Sequence, residues 1–351
     1  MSNPFSQVLI AWYEQNKRDL PWRHTTDPYK VWLSEIILQQ TRVVQGMPYY
    51  EKFVAQYPTV ADLAAADEQQ VLRLWQGLGY YSRARNLHAC AKMVMDEYDG
   101  IFPETAAELQ NLKGIGEYTA AAIASFCFKE AAPVLDGNVF RVVARYFGIS
   151  VNIADAKNKK AFYQVLEEVI DRERPDQFNQ AIMEFGALHC TPAKPLCMYC
   201  DLRIDCHAYL NQQQQELPVK IKKLTIKKRH FQYLVFISDQ EVFMKERGAK
   251  DIWQGLHDFY LIEHDRFEPA TFFNEEQLAS ASLLHESAPY KHVLTHQRIK
   301  AQFYVIRIDR ETAFSDLLAG MQRHHFSAIA GIPKPKLIDN YLNEVFFSLD
   351  L

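Results

Sequence analysis

Nine consecutive residues in the first half of the chain decide the fold: Leu112-Lys113-Gly114-Ile115-Gly116-Glu117-Tyr118-Thr119-Ala120. The apolar spacing on either side of this stretch is helical. Its two glycines permit positive φ and let the backbone approach a ligand closely. The stretch therefore predicts two helices joined by a tight turn, a helix-hairpin-helix.

The turn between these helices has the features of a phosphate-binding site. Amides in the turn from Gly114 to Gly116 and at the start of the next helix point outward, and the helix dipole there favours an anion such as a DNA phosphate. Such contacts position a duplex without reading its sequence. A helix that ends on a glycine C-cap and is followed by a new helix needs no ligand, so the stretch alone leaves both interpretations open.

An aspartate twenty residues beyond Gly116 favours the DNA-binding interpretation. It lies in the segment Leu135-Asp136-Gly137-Asn138-Val139-Phe140-Arg141, which comes just before another helical pattern. Alone, Asp136 would be interpreted as a helix N-cap. The hairpin, the spacer and the aspartate together form a specific combination.

Further along, four of the six cysteines fall within seventeen residues, as Cys190-x6-Cys197-x2-Cys200-x5-Cys206. Such clustering in an intracellular protein indicates metal ligation and not disulfides. Four-cysteine ligation suits a [4Fe-4S] cluster. Zinc is the competing metal, but structural zinc usually takes two short cysteine pairs, and only Cys197 and Cys200 are spaced that way.

The helical spacing continues to about residue 210 and then changes. A glutamine run and a lysine-rich stretch that includes Lys220, Lys222 and Lys223 have the composition of a linker. Short aromatic and β-branched runs follow, with one helical pattern near the C-terminal end. We therefore predict an all-α domain over residues 1–211, a linker over residues 212–226 and an α+β domain over residues 227–351.

Composition sets the class of protein. The chain has 351 residues, of which 48% are hydrophobic, enough to fill two cores. A formal net charge of -4 argues against indiscriminate nucleic-acid binding but allows a local basic face. The first residues lack the pattern of a signal peptide, and no apolar run has the length of a membrane span. We expect a cytoplasmic protein that does not enter a membrane.

From about residue 18 to Cys206 the chain resembles the helix-hairpin-helix glycosylases of the endonuclease III superfamily, and within it the MutY-type adenine DNA glycosylases. The resemblance implies two helical subdomains with DNA in the cleft between them, a [4Fe-4S] cluster held by the four cysteines, and a monomer associated with a bacterial-type nucleoid. Besides the hairpin, aspartate and cysteine motifs, it is carried by Leu20-Pro21-Trp22-Arg23, by the segment from Trp32 to Val43, and by Gly77-Leu78-Gly79-Tyr80-Tyr81.

The resemblance implies a monofunctional enzyme of base excision repair that removes adenine mispaired with 8-oxoguanine or guanine. The residue matching Glu35 protonates adenine N7 and then helps to activate water, while the residue matching Asp136 stabilises or traps the sugar cation. Two carboxylates in different environments can perform both tasks. Trp32, Ile36 and Val43 share one helix face, so Glu35 can border an apolar cleft, where partial burial raises its pKa. Tyr118 and Asn138 complete the predicted catalytic set.

Other positions match the residues that flip and recognise bases. Gln40 and Tyr80 match the wedge residues of the family, and Gln180 stands where a glutamate is usual. The predicted adenine pocket comprises Arg18, Leu20, Trp22, Arg23 and Gln180. The predicted DNA-binding residues are Gln40, Thr41, Leu78, Tyr80, Gly114 and Gly116, together with Thr295 and His296.

The last two of these residues lie in the second half, which resembles the Nudix-like recognition domain of these glycosylases. A tryptophan-glycine-leucine segment of that domain is similar to Trp253-Gln254-Gly255-Leu256 in this chain. Thr295 stands where the family has a serine that senses the oxidised guanine. The fold class predicted for the whole chain is therefore an all-α helix-hairpin-helix glycosylase domain with a [4Fe-4S] cluster loop, followed by an α+β Nudix-like domain.

Three other functions compete with this one. An endonuclease III-type glycosylase and AP lyase uses a lysine on the second hairpin helix, and Tyr118 holds that position here. Phe140 likewise replaces a lysine found in some adenine glycosylases. A Nudix pyrophosphohydrolase needs an Arg-Glu-x-x-Glu-Glu segment, which the sequence lacks. A non-catalytic DNA-binding scaffold would lack the two acids, and both are present.

Overall fold

The computed structural model describes residues 3–221, 225–249 and 251–349, so Lys222 and Lys223 of the predicted linker lie outside the described residues. The chain forms two compact units. One consists of Met1–Ala65 and Asn86–Lys223, and the other of Ala66–Arg85 and Leu224–Leu351. Among the described residues, no helix is long and apolar enough to cross a membrane.

The first half is helical, as predicted, and its helices begin where the sequence supplies caps. The side chain of Asn3 accepts a hydrogen bond from the amide of Phe5, and that of Asp27 from the amide of Tyr29. The helices are α1 (Pro4–Asn16), α2 (Pro28–Leu38), α3 (Val43–Gln56), α4 (Val60–Ala65), α5 (Glu68–Leu74), α6 (Ser82–Tyr98), α7 (Ala106–Leu109), α8 (Glu117–Phe128), α9 (Gly137–Phe147), α10 (Lys159–Val169), α11 (Pro175–Leu188) and α12 (His207–Leu210). Short 3-10 turns lie at Pro21–Arg23, Ala156–Asn158 and Cys197–Tyr199.

The core of the first unit is built where α1, α9 and α11 meet. Phe5, Leu9 and Tyr13 recur along α1 at helical spacing and are buried in this core. The helices α11 and α9 approach closely at Gly186, where an added Cβ would lie 2.7 Å from the Cβ of Asn138. This close approach brings α11 against the start of α9, where Asp136 lies.

The second unit is a mixed sheet with a helix on one face, which confirms the predicted α+β class. Its strands are β1 (Lys227–Ser238), β2 (Glu241–Glu246), β3 (His257–Asp258), β4 (Tyr260–Glu263), β5 (Ala281–Glu286), β6 (Tyr290–Val293), β7 (Gln297–Ile308) and β8 (Gln322–His325). Its helices are α13 (Pro269–Phe272), α14 (Glu275–Ala279) and α15 (Lys336–Glu344). The strand order is β3-β2-β1-β7-β5, with β4 paired to β1, β6 to β7 and β8 to β2.

The two central strands, β1 and β7, run parallel to each other, and the other pairings are antiparallel. Along β1, Phe231, Tyr233 and Val235 face a core that contains α15. The alternate residues Leu234 and Phe236 face a second core, on the opposite side of the sheet. Because both faces are covered over this length, β1 has a nearly continuous apolar run.

Residues 66–85 group with the sheet, although the sequence placed them in the first domain. Arg85 Nη1 donates to the carbonyl of Gln254 at 2.6 Å, and the amide of Lys334 donates to Gln76 Oε1 at 3.4 Å. Each of these contacts joins a side chain to a backbone group far away in the chain, so spacing and composition gave no signal for them. The predicted domain boundaries stay predictions.

Candidate active site

The two predicted catalytic acids lie on two different helices, α2 and α9. Glu35 lies in the last turns of α2, among the buried residues of that helix. Asp136 is the N-cap of α9 and is partly buried. The charge of Asp136 raises the pKa of Glu35, so the two carboxyl groups are close enough to interact. The structure therefore brings together the pair that the sequence predicts.

Glu35 is partly protonated near neutral pH. Burial raises the pKa of its carboxyl group from an ordinary value of 4.5 to about 7. A hydrogen bond from Tyr118 and the positive charge of Arg23 act in the opposite direction, but burial prevails. The Tyr118 hydroxyl also lies 3.2 Å from Met183 Sδ. A carboxyl group with this pKa is suited to deliver a proton at pH 7.

Asp136 has a different environment. Its Oδ1 accepts hydrogen bonds from the amides of Asn138 and Val139 at 2.8 and 2.7 Å, and its Oδ2 accepts one from Asn138 Nδ2 at 3.0 Å. Burial raises the pKa of Asp136, and these donors offset part of that increase because they favour the ionised form. The start of α9 also favours a negative charge. Asp136 is thus both a helix cap and a fixed negative charge beside Glu35.

The raised pKa of Glu35 predicts a pH dependence of catalysis. With enzyme in excess over a substrate duplex, the excision rate is expected to fall about tenfold per pH unit above pH 7, because the acid loses its proton. The free energy of unfolding should also fall with increasing pH. Because folding raises the pKa of Glu35 from 4.5 to about 7, the contribution of this group to stability is fully present below pH 4.5 and is lost as the pH rises towards 7.

The measurement is single-turnover excision from pH 5.5 to 9, with DNA affinity followed in parallel to exclude a binding effect. A rate that stays constant or increases across pH 7 would contradict the assignment of Glu35 as the acid.

Two residues of the predicted adenine pocket, Arg18 and Arg23, bind one buried carboxylate. Glu184, on α11, accepts hydrogen bonds from Arg18 Nη2 at 2.6 Å and Arg23 Nη2 at 2.8 Å. Burial alone would raise the pKa of Glu184, but the hydrogen bonds from the two arginines outweigh it and hold the pKa at about 2. Glu184 therefore stays ionised and fixes both guanidinium groups, which leaves Arg23 near Glu35.

The other predicted pocket residues have varied contacts. Trp22 packs edge-on against Tyr50 with ring centroids 5.1 Å apart, and Leu20 is buried. Gln180 Oε1 accepts a hydrogen bond from the Tyr13 hydroxyl at 2.6 Å. Gln180 lies one helical turn before Glu184 on α11, so the pocket side of this helix does contain a carboxylate. No finding tests whether any of these residues contacts adenine, and that role stays a prediction.

The hairpin has the backbone geometry that its sequence predicts. Gly114 adopts a φ of 79°, and a Cβ added there would lie 2.8 Å from the Cβ of Asn86. Gly116 is the N-cap of α8 and is exposed, while Ile115 between the glycines is buried. The first turn of α8 contains amides that have no partner within the helix. Exposed amides at a helix start form a site for a phosphate oxygen.

Two predicted wedge residues occupy backbone conformations that side chains rarely adopt. Gln40 has a φ of 57° and Tyr80 a φ of 49°, and both are exposed. Thr41, next to Gln40, is partly exposed. Leu78, two residues before Tyr80, is buried, so the structure does not place its side chain among the exposed residues predicted to bind DNA.

Tyr80 contacts Thr295, another residue that the sequence predicts to bind DNA. Its hydroxyl hydrogen-bonds to the hydroxyl of Thr295, which lies with His296 in the turn between β6 and β7. The carbonyl of Gly79 accepts from Trp75 Nε1 at 3.0 Å, and this contact holds the loop that carries Tyr80. Thr295 and His296 are both exposed.

The four clustered cysteines line one cavity. Cys190, Cys197, Cys200 and Cys206 all border it, with apolar side chains filling most of the remaining wall. No disulfide joins them. In the part of the chain that the structure describes, no three Cys, His, Asp or Glu side chains come together tightly enough to hold a single metal ion. The arrangement thus has four thiols around one space without the compact geometry of a one-ion site.

Two arginines of α9 contact this loop, and one of them links it to the residues around Asp136. Arg141 Nη2 donates to Asn138 Oδ1 at 2.8 Å, and its Nε donates to the carbonyl of Cys190 at 2.7 Å. One turn later, Arg145 Nη1 lies 3.4 Å from Cys190 Sγ and donates to the carbonyl of Thr191 at 2.8 Å. The cysteine loop therefore helps to position Asn138, a hydrogen-bond donor to Asp136.

Sequence reasoning missed Glu184, Arg141 and Arg145. Arg141 and Arg145 are four residues apart on α9, directly after the Asp136 motif, and this spacing places them on one helix face. Glu184 stands within an otherwise apolar run of α11, which signals a buried and paired carboxylate. Both patterns can be seen in the sequence, but the residues that bind Glu184, Arg141 and Arg145 come from distant segments of the chain.

Both halves of the chain match known protein families. Residues 33–171 match the HhH-GPD superfamily of base excision DNA repair proteins, and residues 232–344 match the NUDIX domain. An adenine DNA glycosylase of Buchnera aphidicola subsp. Acyrthosiphon pisum (strain APS) is 31% identical over 350 residues, spanning 97% of this chain and 99% of the relative. The adenine DNA glycosylase of Homo sapiens is 42% identical over 222 residues, which span 61% of this chain and 41% of the human protein.

Solved structures give the same fold for the first half. A thermostable thymine-DNA glycosylase is 30% identical with a TM-score of 0.55, over 59% of this chain and 95% of that chain. A non-covalent endonuclease III–DNA complex is 21% identical with a TM-score of 0.52, over 60% of this chain and 95% of that chain. At 21% identity, the similarity to the endonuclease III complex concerns the fold alone.

Proposed function

The chain belongs to the adenine DNA glycosylases, and from this premise we propose that it acts as a monofunctional enzyme on adenine paired with 8-oxoguanine or guanine. It is a base excision repair glycosylase with DNA as its partner. The observation that carries the proposal is the pair formed by Glu35, buried with a pKa of about 7, and Asp136, held beside it by three hydrogen bonds.

The two acids divide the reaction between them. Glu35 gives its proton to N7 of the flipped adenine, and the bond between C1′ and N9 breaks with its electron pair moving to the base. The carboxylate of Asp136 stabilises the positive charge that develops on the sugar. A water oxygen then forms the new bond to C1′, and its proton returns to the Glu35 carboxylate. Adenine and an abasic site are the products.

The monofunctional assignment rests on what surrounds Glu35. A lyase forms a Schiff base through a lysine amine. On the second hairpin helix, the corresponding position holds Tyr118, whose hydroxyl contacts Glu35 and Met183. A phenol with a pKa raised well above its ordinary value by burial is a hydrogen-bond donor and not a nucleophile. The abasic strand is therefore expected to stay intact until treated with alkali.

For the cofactor, the proposal is a [4Fe-4S] cluster held by Cys190, Cys197, Cys200 and Cys206. The donor set fits, because four thiols line one apolar cavity and four-cysteine ligation is typical of such clusters. Ligands of a multi-iron group are spread more widely than those of one ion, in agreement with the open arrangement of these thiols. When bound, the group would crosslink the loop that positions Arg141 and take no part in bond cleavage.

Cluster assignment is tested by replacing Cys200 with serine. The wild-type protein is expected to show the broad visible absorbance of an iron-sulfur cluster and about four iron and four sulfide per chain, and the variant should lose most of both. Cys127→Ser, outside the cavity, is the matched control. Stoichiometric zinc without sulfide in the wild-type protein would contradict the assignment.

Two further proposals concern the oligomeric state and the location of the enzyme. We infer that the enzyme works as a monomer, since one chain supplies both acids, the hairpin and the cysteines. Its location is inferred to be the cytoplasm, at a nucleoid of bacterial type, where its DNA substrate lies. Sedimentation in the absence of DNA and imaging of a tagged chain are the respective tests.

Mispair preference is the test of the proposed function. Three duplexes of the same sequence, with adenine opposite 8-oxoguanine, guanine or thymine, are incubated with excess enzyme and then treated with hot alkali. Cleavage at adenine is expected in the first two duplexes and not in the third. Equal cleavage of all three would contradict the proposed mispair specificity while leaving adenine excision in place.

A further inference from the structure

One face of the C-terminal sheet is apolar and buried along one half of its two central strands and exposed along the other half. In the second half of β1 and β7, Leu234, Phe236, Tyr304 and Ile306 are buried on this face beneath the segment that contains Phe267 and Phe273. Four to six residues before Leu234 and Tyr304, the same face opens to solvent: Lys228, Arg298 and Lys300 are exposed, and His230 is partly exposed. Because side chains alternate along a strand, all these positions point to one side of the sheet.

The exposed half of this face is basic. In the parallel pairing of β1 and β7, Lys228 lies beside Arg298 and His230 beside Lys300. In the antiparallel pairing of β6 and β7, Lys291 lies beside Lys300. These five residues, here called the basic ladder, cross three adjacent strands. Strand spacing places neighbouring charges roughly 5 to 7 Å apart.

The three lysines of the ladder have no acidic partner: among the residues that the structure describes, Lys228, Lys291 and Lys300 form no ion pair. Acids lie at the two edges of the ladder. At one edge Asp265 pairs with His230, and Glu263 borders the same pocket as Lys228; at the other, Glu286 accepts a hydrogen bond from Gln302 at 2.7 Å. Like charges directly opposite one another destabilise a sheet. In a chain of net charge -4, a row of neighbouring lysines without ion pairs indicates an external anion.

The ladder also leads directly to the turn that carries Thr295. Leu294 and Gln297 close this turn with backbone hydrogen bonds of 2.9 and 3.4 Å, so only two residues, Thr295 and His296, form its tip. Arg298 Nη1 donates to the carbonyl of Leu294 at 2.6 Å. The ladder and the tip are thereby fixed relative to each other as one rigid surface.

We propose that the basic ladder binds the phosphodiester backbone of duplex DNA next to the Thr295 turn. The inference rests on the proposed function, which supplies DNA as the ligand. A duplex strand carries one charge about every 3.4 Å along the axis, so about two or three phosphates can face the ladder. Since its lysines and arginine lie on an exposed strand face and carry charge suited to phosphates, we expect the ladder to position the duplex and to read no base.

The experiment measures DNA affinity as a function of salt. Lys291→Gln/Lys300→Gln is compared with Lys336→Gln/Arg310→Gln, which removes the same charge from exposed residues of the same unit that are paired with Asp339 and Glu276. Each protein is titrated with a non-cleavable duplex that has a 2′-fluorinated adenosine opposite 8-oxoguanine, and with a fully paired duplex. Single-turnover excision from the cleavable mispair at saturating enzyme is measured alongside.

For the ladder variant, Kd is expected to increase about tenfold or more near 0.1 M salt for both duplexes. The slope of log Kd against log salt should fall by about two, one phosphate for each lysine. The control pair should match the wild type. Excision at saturation should be unchanged, because no ladder residue contacts the base.

Unchanged affinity and slope in the ladder variant would overturn the proposal, as would an equal loss in the control pair, which would indicate a general charge effect. Failure of the proposed function is distinguishable: a wild-type protein that does not excise adenine, but whose DNA affinity still depends on Lys291 and Lys300, would leave the ladder assignment intact.

Discussion

Replacing Glu35 with glutamine is expected to reduce adenine excision by about 10²- to 10⁴-fold, the range that a general acid contributes. Glutamine has the shape of a protonated glutamate but holds no transferable proton. Since Glu35 lies inside α2 and not on the hairpin, the affinity for a mispaired duplex should stay close to that of the wild type. The measurement is single-turnover excision with an equilibrium binding titration.

Glu167→Gln is the matched control for this change, because it removes an exposed glutamate from α10 in the same unit. A second readout separates catalysis from folding. At pH 8 the variant should be at least as stable as the wild type, since it no longer buries an ionised carboxylate. Wild-type excision by Glu35→Gln would show that another group supplies the proton.

The second large effect is expected at Asp136. Asparagine retains an oxygen that can accept from the amides of Asn138 and Val139, so the cap of α9 should survive with a stability change below about 0.5 kcal/mol. The negative charge is lost, and excision should fall about 10²- to 10³-fold, as for other groups that stabilise a developing charge. Excision rate and thermal unfolding are measured together.

Asp136→Ala provides the comparison, since it removes both the charge and the cap and should cost about 1 kcal/mol more stability than asparagine. If Asp136→Asn retained wild-type excision while Asp136→Ala lost stability, the aspartate would be only a helix cap. Equal losses of stability in both variants would instead indicate that the cap geometry depends on the charge.

Local patterns were sufficient to predict the two acids and the hairpin. The helical spacing around Glu35 predicted that it borders an apolar cleft, and the structure buries it. Val43 was wrongly placed on the same helix face, because α2 ends at Leu38 and Val43 begins α3. Gly114 and Gly116 predicted a turn with an unusual backbone, and Gly114 has a positive φ. These properties depend on a few neighbouring residues, which is why they can be predicted from the sequence.

Properties that depend on distant segments could not be predicted. Glu184 is ionised because Arg18 and Arg23, more than 160 residues earlier, donate to it. Arg141 reaches Cys190 only because Gly186 lets α11 approach α9. The basic ladder arises because β1 and β7, some 70 residues apart in sequence, pair in a register that sets Lys228 beside Arg298.

Fold class was predictable for the same reason, since the period of apolar residues distinguishes helix from strand. Nothing in the sequence indicated that residues 66–85 group with the sheet. That grouping uses the carbonyl of Gln254 and the side chain of Gln76, and such single contacts produce no periodic pattern in the sequence. Leu78 shows the related limit of motif matching, because a residue within a predicted DNA-binding loop can be buried.

The most direct test of the central claim is to follow one duplex, with adenine opposite 8-oxoguanine, for both of its products. Free adenine is quantified by mass spectrometry and strand integrity by denaturing gel, before and after hot alkali. We expect one free adenine per duplex and a strand that stays whole until alkali breaks it at the abasic site. No release of adenine, or strand cleavage before alkali, would contradict a monofunctional adenine glycosylase built on Glu35 and Asp136.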